Sequence, residues 1–208
     1  MNVAAVVLAA GMSRRMGGPN KLTASVNGKP LVRIAVEAAL ASRAGATTVV
    51  TGHDADAVAA ALAGLPVTLI HNADYADGMS TSLRAGIAAV PAEADGAVVL
   101  LGDMPAIDAA AIERVIAAFA PGEGADIVVA TAAGQQRNPV LWSRRFFAQL
   151  MAQQGDKGGR EVIAANPAVA VTVELGSPAA ADIDTPEDLA ASGRPASVPP
   201  QPRRGENR

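Results

Sequence analysis

The chain begins with an apolar run, Val3 to Ala10, that stops at Gly11. An uninterrupted, valine-rich run of this length is typical of a strand buried on both faces of a sheet. The loop that follows is rich in glycine and in cations: Arg14, Arg15, Gly17, Gly18 and Lys21. Backbone N–H groups of such a loop can approach phosphates while the cations neutralise them. This start therefore predicts a buried strand that leads into a loop for a nucleoside triphosphate.

Two common phosphate-binding patterns do not account for this loop. The pattern GxxxxGK[ST] does not occur, and no GxGxxG opens a helix here. A polar surface loop, charged for solubility, stays open as the alternative. A secretory signal peptide is disfavoured, because residues 1 and 2 carry no basic side chain and the paired arginines follow the apolar run.

Composition narrows the function classes. The 208 residues are half apolar but only 2% aromatic, and they predict one domain with a core of Ala, Val, Leu and Ile. The formal net charge of -3 gives no basic field for nucleic acid, and no apolar run reaches the ~18 residues of a membrane-spanning helix. With no cysteine and two histidines, thiolate chemistry and an ordinary zinc site are disfavoured. We expect a cytoplasmic protein with neither nucleic-acid nor membrane partners.

Strand-like and helix-like segments alternate along the first two thirds of the chain. The predicted strands are Val3–Ala10, Thr47–Thr51, Val67–His71, Gly96–Leu101 and Ala125–Ala130. The predicted helices are Pro30–Ala44, Asp54–Ala63 with an acidic cap, Ser80–Val90 with a serine cap, and Asp108–Phe119. Apolar strands separated by helices predict an α/β fold whose parallel sheet is covered on both faces. Such sheets bind ligands at the carboxyl ends of their strands.

The pattern is looser after residue 131. Residues 134–139 are predicted as a polar turn, Ser143–Gln154 as a helix, 155–160 as a glycine-rich loop and Val169–Glu174 as a late strand. Thr185 and Pro186 predict a helix start. Residues 193–208 are rich in proline and lack apolar periodicity, so we expect a disordered tail after a domain that spans 1–192.

Polar residues of interest follow the predicted strands. Asp103, in LLGDMP, comes directly after the fourth strand, where a carboxylate suits Mg²⁺ bound to phosphates. Asp184, in ADIDTPEDL, is a second candidate, and two carboxylates are enough for a metal that keeps waters and phosphate oxygens. A helix-capping role stays open for both aspartates.

Other polar residues have a functional and a structural interpretation. Ser80, Thr81 and Ser82 offer hydroxyl and N–H groups to a base or ribose, or form an ordinary helix cap. Arg137, Asn138 and Arg160 are candidates for binding an anionic acceptor, and solvated loop positions are the alternative. His53 is interpreted as a helix cap, and Trp142 and Phe146 as core or subunit contacts.

Taken together, several segments resemble the molybdenum cofactor cytidylyltransferase family. These are LAAGMSRRMGGPNKL, TGHDA, GMSTSLRAGI, LLGDMP, RNPVLW, GDKGGR and DIDTPEDL, over residues 3 to 190. The first segment and GDMP are typical of the wider nucleotidyltransferases, whereas GMSTSL, GDKGGR and DIDTPED are typical of the cytidylyltransferase branch. The late loop departs from the family's frequent GDxGAR, because Gly159 stands where the alanine is.

The resemblance implies a three-layer α/β/α, Rossmann-like domain that transfers CMP from CTP to the terminal phosphate of molybdopterin, with Mg²⁺ as cofactor and a molybdoenzyme as a further candidate partner. It implies a nucleotide site with Ala9, Ala10, Gly11, Arg15, Lys21, Ser80 and Ser82, metal positions at Asp103 and Asp184, and catalytic roles for Arg14, Lys21 and Asp103. Ala10 stands where guanylyltransferase relatives have glycine, which favours a pyrimidine. The alternatives are GTP or another acceptor such as a sugar phosphate, a non-catalytic protein that delivers cofactor, and a nicotinamide- or flavin-dependent oxidoreductase.

Overall fold

A computed structural model of the protein describes residues 1–13, 20–156, 158–180, 182–183, 185 and 187–189. Its strands are β1 (Val3–Ala9), β2 (Ser25–Val26), β3 (Lys29–Pro30), β4 (Thr47–Thr51), β5 (Thr68–His71), β6 (Gly96–Leu101), β7 (Ile127–Ala132), β8 (Gln135–Ser143) and β9 (Ala170–Glu174). Its α-helices are α1 (Leu31–Ala41), α2 (Ala55–Ala61), α3 (Met79–Ala88), α4 (Ala109–Ala117), α5 (Phe147–Met151) and α6 (Arg160–Ala165). Short 3₁₀ turns cover Lys21–Thr23, Tyr75–Asp77, Arg144–Phe146, Pro167–Val169 and Ser177–Ala180.

Seven of these strands form one sheet in the order β5-β4-β1-β6-β8-β7-β9. Neighbouring strands run parallel, except that β8 is antiparallel to both β6 and β7. The predicted, mostly parallel α/β sheet is therefore confirmed. β2 and β3 form a separate antiparallel pair that the sequence analysis missed, because each strand has only two residues.

The side chains of β1 divide between two cores. Val3, Ala5, Val7 and Ala9 pack on one face of the sheet with apolar residues of α1, α2 and α4. Ala4 and Val6 pack on the other face with residues of α3, α5 and α6. Successive side chains of a strand point to opposite faces, so a strand between two helical layers must be apolar throughout. The three-layer arrangement explains the uninterrupted run at the start of the chain.

The prediction of a polar turn at 134–139 is wrong over most of its length. Residues from Gln135 onward form β8, which lies between β6 and β7. The first half of β8 is exposed or half-buried, and the second half is buried. The polar residues that suggested a turn lie in the first half, where the strand faces solvent. The predicted helix Ser143–Gln154 is also wrong in its bounds. This segment contains a 3₁₀ turn, Arg144–Phe146, followed by the short helix α5, Phe147–Met151.

Two of the predicted helix caps are wrong, and a cap that was not predicted occurs at Asp108. Asp108 caps α4, since its side chain accepts a hydrogen bond from the Ala111 N–H at 2.8 Å. Asp54 precedes α2, but its side chain makes no capping bond and its φ is 52°. Gly78, rather than Ser80, is the N-cap of α3. The caps at Asp54 and Ser80 were inferred from residue type, and a side-chain cap also needs a suitable backbone angle and position.

The parallel pairing of β1 with β6 places their carboxyl ends side by side. Leu8 lies opposite Leu101, and the Gly102 N–H donates to the Leu8 carbonyl at 3.0 Å. Asp103 therefore lies beside the segment that begins at Ala10. Among the described residues no helix is long and apolar enough to cross a membrane.

We predict that Glu174 makes the stability of the β7–β9 edge depend on pH. Its carboxylate accepts hydrogen bonds from the Thr131 hydroxyl at 2.8 Å and from the backbone N–H groups of Ala133, Gly134 and Gly176. These bonds, the Thr131 bond above all, lower the pKa of Glu174 from 4.5. Because the folded-state pKa is the lower one, the carboxylate stabilises the fold above the unfolded-state value, and this contribution is lost as pH falls through the folded-state value.

Glu174→Gln should therefore lower the free energy of unfolding at pH 7, measured by urea titration. The difference from wild type should shrink steadily as the pH is lowered into the acid range. Glu123→Gln, at an exposed position, is the matched control and should show no such trend. A Glu174→Gln deficit that stays constant with pH would contradict this role.

Candidate active site

A cavity of about 380 Å³ opens at the carboxyl ends of β1 and β6. The lining residues come from four segments of the chain and from one further residue, Asp156. The four segments contribute Leu8 and Ala10 to Ser13; Lys21 and Leu22; Tyr75, Ala76, Gly78, Met79 and Ser82; and Leu101 and Asp103. The predicted site residues Ala10, Gly11, Lys21, Ser82 and Asp103 thus share one cavity. Ala9 instead lies in the core behind the cavity.

The strongest electrostatic contact in the cavity joins Lys21 and Asp103. Lys21 Nζ lies 2.6 Å from Asp103 Oδ2, and the two side chains are only 13% and 16% exposed. The other carboxylate oxygen, Asp103 Oδ1, is buried and has no hydrogen-bond partner among the described residues. An unpartnered buried carboxylate oxygen is costly, so the site is suited to an added cation or donor at this atom.

Lys21 is held in place by a small polar network. The Ser13 hydroxyl accepts the Lys21 backbone N–H at 3.1 Å and donates to Asn20 Oδ1 at 3.2 Å. Asn20 Oδ1 also accepts the Leu22 N–H at 3.0 Å, which closes the 3₁₀ turn that carries Lys21. Asn20 is buried and its amide donates to the His53 carbonyl. The backbone that presents the lysine is therefore fixed from both sides.

The segment that precedes Asp184 packs beside Asp103. The Ile183 N–H donates to the Asp103 carbonyl at 3.1 Å. Asp184 itself, like Arg14 and Arg15, lies outside the described residues. Downstream, the Thr185 hydroxyl accepts the Asp188 N–H at 3.2 Å, as expected for the predicted helix start. Ile183 of the motif DIDTPEDL is thus brought to the end of β6.

Ser82 lies in the cavity wall with a hydroxyl of defined orientation. The Asp74 N–H donates to Asn72 Oδ1, which fixes how the buried Asn72 amide is turned. The Asn72 amide nitrogen then donates to both Thr81 Oγ1, at 2.8 Å, and Ser82 Oγ, at 3.0 Å. Since a serine hydroxyl has one proton, Ser82 keeps that proton as a donor. The hydroxyl can therefore donate to an acceptor atom of a ligand in the cavity.

Ser80 is placed differently from Ser82. Its side chain is buried, it does not line either described cavity, and its hydroxyl has no hydrogen-bond partner. The first N–H groups of α3 are also already used, because Met79 donates to Asp156 Oδ1, Ser80 to the Gly155 carbonyl and Thr81 to the Gly78 carbonyl. These N–H groups are occupied by protein acceptors rather than open to a ligand.

A second cavity, of about 170 Å³, adjoins the first. Both are lined by Leu8, Met79, Leu101 and Asp156. The second cavity contains the three predicted acceptor-binding residues, Arg137, Asn138 and Arg160, together with apolar side chains that include Trp142. Arg137 Nε is buried and has no hydrogen-bond partner in the described part of the chain, while a terminal nitrogen of the guanidinium donates to Gln135 Oε1 at 2.9 Å. A guanidinium in such a place can still bind an anion.

The sequence analysis gave no site role to several lining residues, including Tyr75, Met79 and Asp156. Tyr75 packs over Gly52, where an added Cβ would lie 2.6 Å from Tyr75 Cβ, and its ring centroid lies 6.2 Å from that of His53. Met79 and Asp156 line both cavities. The motif GDKGGR drew attention to Arg160, although its aspartate is the residue that contacts α3. Trp142 and Phe146 are buried, which confirms their assignment to the core.

The donor set of the first cavity fits a hard cation. Among the residues the structure describes, no group of three or more His, Cys, Asp or Glu side chains could hold a metal. A metal held by all-protein ligands is not required, since Mg²⁺ is usually bound by one or two carboxylates together with phosphates and water. Asp103 Oδ1 is an oxygen that such an ion could take.

Comparison with known structures shows the same architecture. The structure of Rv0371c from Mycobacterium tuberculosis H37Rv matches with a TM-score of 0.81 and 26% identity, over 92% of this chain and 97% of that one. A structure of that protein in complex with manganese matches with a TM-score of 0.78. An Rv0371c homologue from mycobacterium sp. strain JC1 gives 0.77 and 32% identity, over 91% and 96% of the two chains.

Sequence comparison gives a family and relatives that match part of the chain. The model of a MobA-like NTP transferase domain matches residues 5–170. The chain is 34% identical over 143 residues to the bifunctional protein GlmU of Leifsonia xyli, a match that covers 65% of this chain and 29% of that protein. It is 32% identical over 120 residues to nicotine blue oxidoreductase of Paenarthrobacter nicotinovorans, a match that covers 58% of each.

We predict that Gly159 is required by the packing of Trp142. A Cβ at residue 159 would lie 2.3 Å from Trp142 Cζ2, and the indole is buried. Gly159→Ala should lower the free energy of unfolding by about 1–3 kcal/mol, the cost of overpacking a filled core. Gly11→Ala is the control, since a Cβ there meets nothing within 4 Å. Urea titrations that give equal stability for Gly159→Ala and wild type would show that the indole can move aside.

Proposed function

The chain belongs to the family of MobA-like NTP transferase domains, and from this premise we propose that it transfers CMP from CTP to the terminal phosphate of a molybdopterin and releases pyrophosphate. The observation that carries the proposal is the half-buried Asp103 carboxylate beside Lys21, in the wall of the first cavity, with its Oδ1 atom buried and unpartnered among the described residues. A metal–triphosphate complex needs an anionic group that binds the metal and a cationic group that binds the phosphates, and the two side chains lie together here.

In this proposal the first cavity holds the nucleotide. Lys21 binds phosphate oxygens. The space beside the Gly11 Cα is open, since a Cβ there would meet no atom within 4 Å, so a phosphate can come close to the backbone at this point. Arg14 and Arg15 belong to the same loop and are proposed as further phosphate ligands. Asp103, with Asp184, would hold Mg²⁺, which when bound neutralises charge on the phosphates.

The chemistry asks little of the protein beyond alignment and charge. A phosphate oxygen of the acceptor attacks the α-phosphorus in line, the bond to the bridging oxygen breaks, and pyrophosphate leaves. An acceptor phosphate is already ionised at neutral pH, so no general base is needed. Lys21 stabilises the charge that develops on the leaving group, and the fixed turn around it lowers the cost of reorganisation.

Base recognition is assigned to Ala10 and Ser82. Both line the first cavity and both are almost fully buried. The Ser82 proton, left free to donate by Asn72, can bind an acceptor atom of the base, and the Ala10 methyl narrows the space for a purine. We propose no contact between Ser80 and the base. The Ser80 backbone N–H instead joins α3 to the Gly155 carbonyl.

The second cavity is assigned to the acceptor. Arg137, Asn138 and Arg160 supply polar and cationic groups at one side, and the unpartnered Arg137 Nε favours an anion there. Trp142, Val129 and Val140 supply an apolar surface at the other side. A flat heterocycle that bears a phosphate fits this cavity, because its ring can pack on the apolar side and its phosphate can bind the cationic side.

The identity to nicotine blue oxidoreductase favours a second candidate, which is reduction of a small molecule by a nicotinamide or flavin cofactor. The two candidates differ in their products. Nucleotidyl transfer releases pyrophosphate and leaves nicotinamide absorbance unchanged, whereas a reductase consumes the reduced nicotinamide and releases no pyrophosphate.

The test is pyrophosphate release from CTP, GTP, ATP and UTP, each with and without molybdopterin. We expect release with CTP that depends on the acceptor. Equal mixtures of CTP and GTP should give mostly CMP transfer, and Ser82→Ala and Ala10→Gly should each relax this preference by about 1–3 kcal/mol or less, as single contacts do. Predominant GMP transfer by the wild type would overturn the base assignment alone.

We predict that Asp103→Ala lowers turnover at least ~100-fold, because it removes the anionic oxygen that would hold the metal. Asp103→Asn should lose nearly as much, since the amide keeps the shape without the charge. Asp56→Asn, an exposed position on α2, is the control. Steady-state turnover at saturating Mg²⁺ measures the effect. A rate within a few-fold of wild type in either Asp103 variant would contradict the assignment.

A further inference from the structure

We propose that Asp156 is a positioning residue that couples the two cavities, so that a nucleotide in the first alters the conformation of the second. The proposal rests on the proposed function only in taking a nucleotide as the ligand of the first cavity. It concerns a residue that need not touch either substrate and acts through the backbone of α3.

The contact itself is a hydrogen bond between distant parts of the chain. The Met79 N–H, the first of α3, donates to Asp156 Oδ1 at 3.1 Å. Next to it, the Ser80 N–H donates to the Gly155 carbonyl at 3.0 Å. Two consecutive N–H groups of the helix start are thus satisfied by two consecutive residues of the later loop. A carboxylate is also favourable at the positive end of a helix.

The turn approaches the later loop closely at Gly78. A Cβ at residue 78 would lie 2.7 Å from Asp156 Oδ1 and 2.8 Å from the Gly155 backbone carbon. The φ of Gly78 is +113°, a value that side-chain-bearing residues rarely adopt. The backbones of the turn and the loop are therefore in direct contact, with no side chain between them that could absorb a displacement.

The contact lies between the two cavities. Asp156 and Met79 line both of them. From Asp156 the chain leads to Gly158, Gly159 and Arg160, which line the second cavity. From Met79 it leads to Ser82, which lines the first. A ligand that displaces the turn at 78–82 should therefore displace Gly155 and Asp156 as well, and through them Gly158 and Gly159, and the coupling acts equally in the other direction.

The chemistry needed from Asp156 is that of a hydrogen-bond acceptor. Asparagine keeps an acceptor oxygen at the same position, whereas alanine has none. A residue that acted by charge, for example on the metal or on phosphates, would lose its effect in both variants. Asp156→Asn and Asp156→Ala therefore separate positioning from charge, and Asp77→Ala, an exposed neighbour of the turn, is the control.

The experiment is NMR on the full-length, ¹⁵N-labelled protein. Without ligand, exchange of the Met79 amide should be about tenfold faster in Asp156→Ala than in wild type, as expected for loss of a hydrogen bond. It should change less than about twofold in Asp156→Asn and Asp77→Ala. On titration with Mg²⁺·CTP, the amide resonances of Gly158 and Gly159 should shift in wild type, Asp156→Asn and Asp77→Ala but not in Asp156→Ala.

The outcomes separate this inference from the function on which it rests. If Mg²⁺·CTP shifts Gly11 but not Gly158 and Gly159 in wild type, the coupling is refuted and the nucleotide site stands. If Asp156→Asn behaves like Asp156→Ala, charge rather than positioning is responsible and the inference is refuted. If only GTP gives the coupled shifts, the base assignment fails and the coupling stands. If none of CTP, GTP, ATP and UTP shifts Gly11, both are refuted.

Discussion

β1 and β6 pair in parallel with Leu8 opposite Leu101, and the Gly102 N–H extends the pairing by one bond to the Leu8 carbonyl. The rest of the site depends on this register. A slip of one residue would exchange the two faces of β6, and its apolar side chains would lose their partners in both cores. Packing of β6 in the two cores therefore fixes how far Asp103 projects beyond the sheet, and so which loop it faces.

The same register decides the electrostatics. Asp103 meets Lys21 because the 3₁₀ turn that carries the lysine packs under Gly102, where a Cβ would lie 3.2 Å from Leu22 Cδ2. The ion pair neutralises one carboxylate oxygen and leaves the other buried and unpartnered. Such a pair is retained here at a cost in desolvation, which is consistent with a binding role and gives no evidence for a role in stability.

The sequence alone was sufficient for the parts of the fold set by burial. β4 and β6 have the bounds that their apolar runs predict, and α1 to α4 differ from prediction by a few residues at their ends, whereas α6 was not predicted. Tertiary pairing decides what local pattern cannot, and this explains the failure at β8. Its residues from Gln135 to Arg137 are polar because that half of the strand is exposed, so nothing local distinguishes them from a turn.

The residues of the candidate site also divide into those that local sequence predicts and those that only tertiary contacts bring to the cavity. Gly11, Lys21 and Asp103 were found because they follow apolar strands, and the topology brings strand ends together. Asp156, Tyr75 and Met79 reach the cavity through contacts between segments far apart in the chain, as in the bond between Met79 and Asp156. Gly159 is explained only by the indole of Trp142, which fills the space a methyl would need. Nothing in the local sequence specifies such a pair.

The most direct test of the central claim, that the Asp103 carboxylate holds the metal of a bound nucleotide, is the position of the metal itself. A crystal grown with Mn²⁺ and a non-hydrolysable CTP analogue gives that position from anomalous scattering. We expect the manganese peak beside the Asp103 carboxylate, with Lys21 turned toward the phosphates. Manganese bound to the nucleotide away from Asp103, with the ion pair between Lys21 and Asp103 intact, would contradict it.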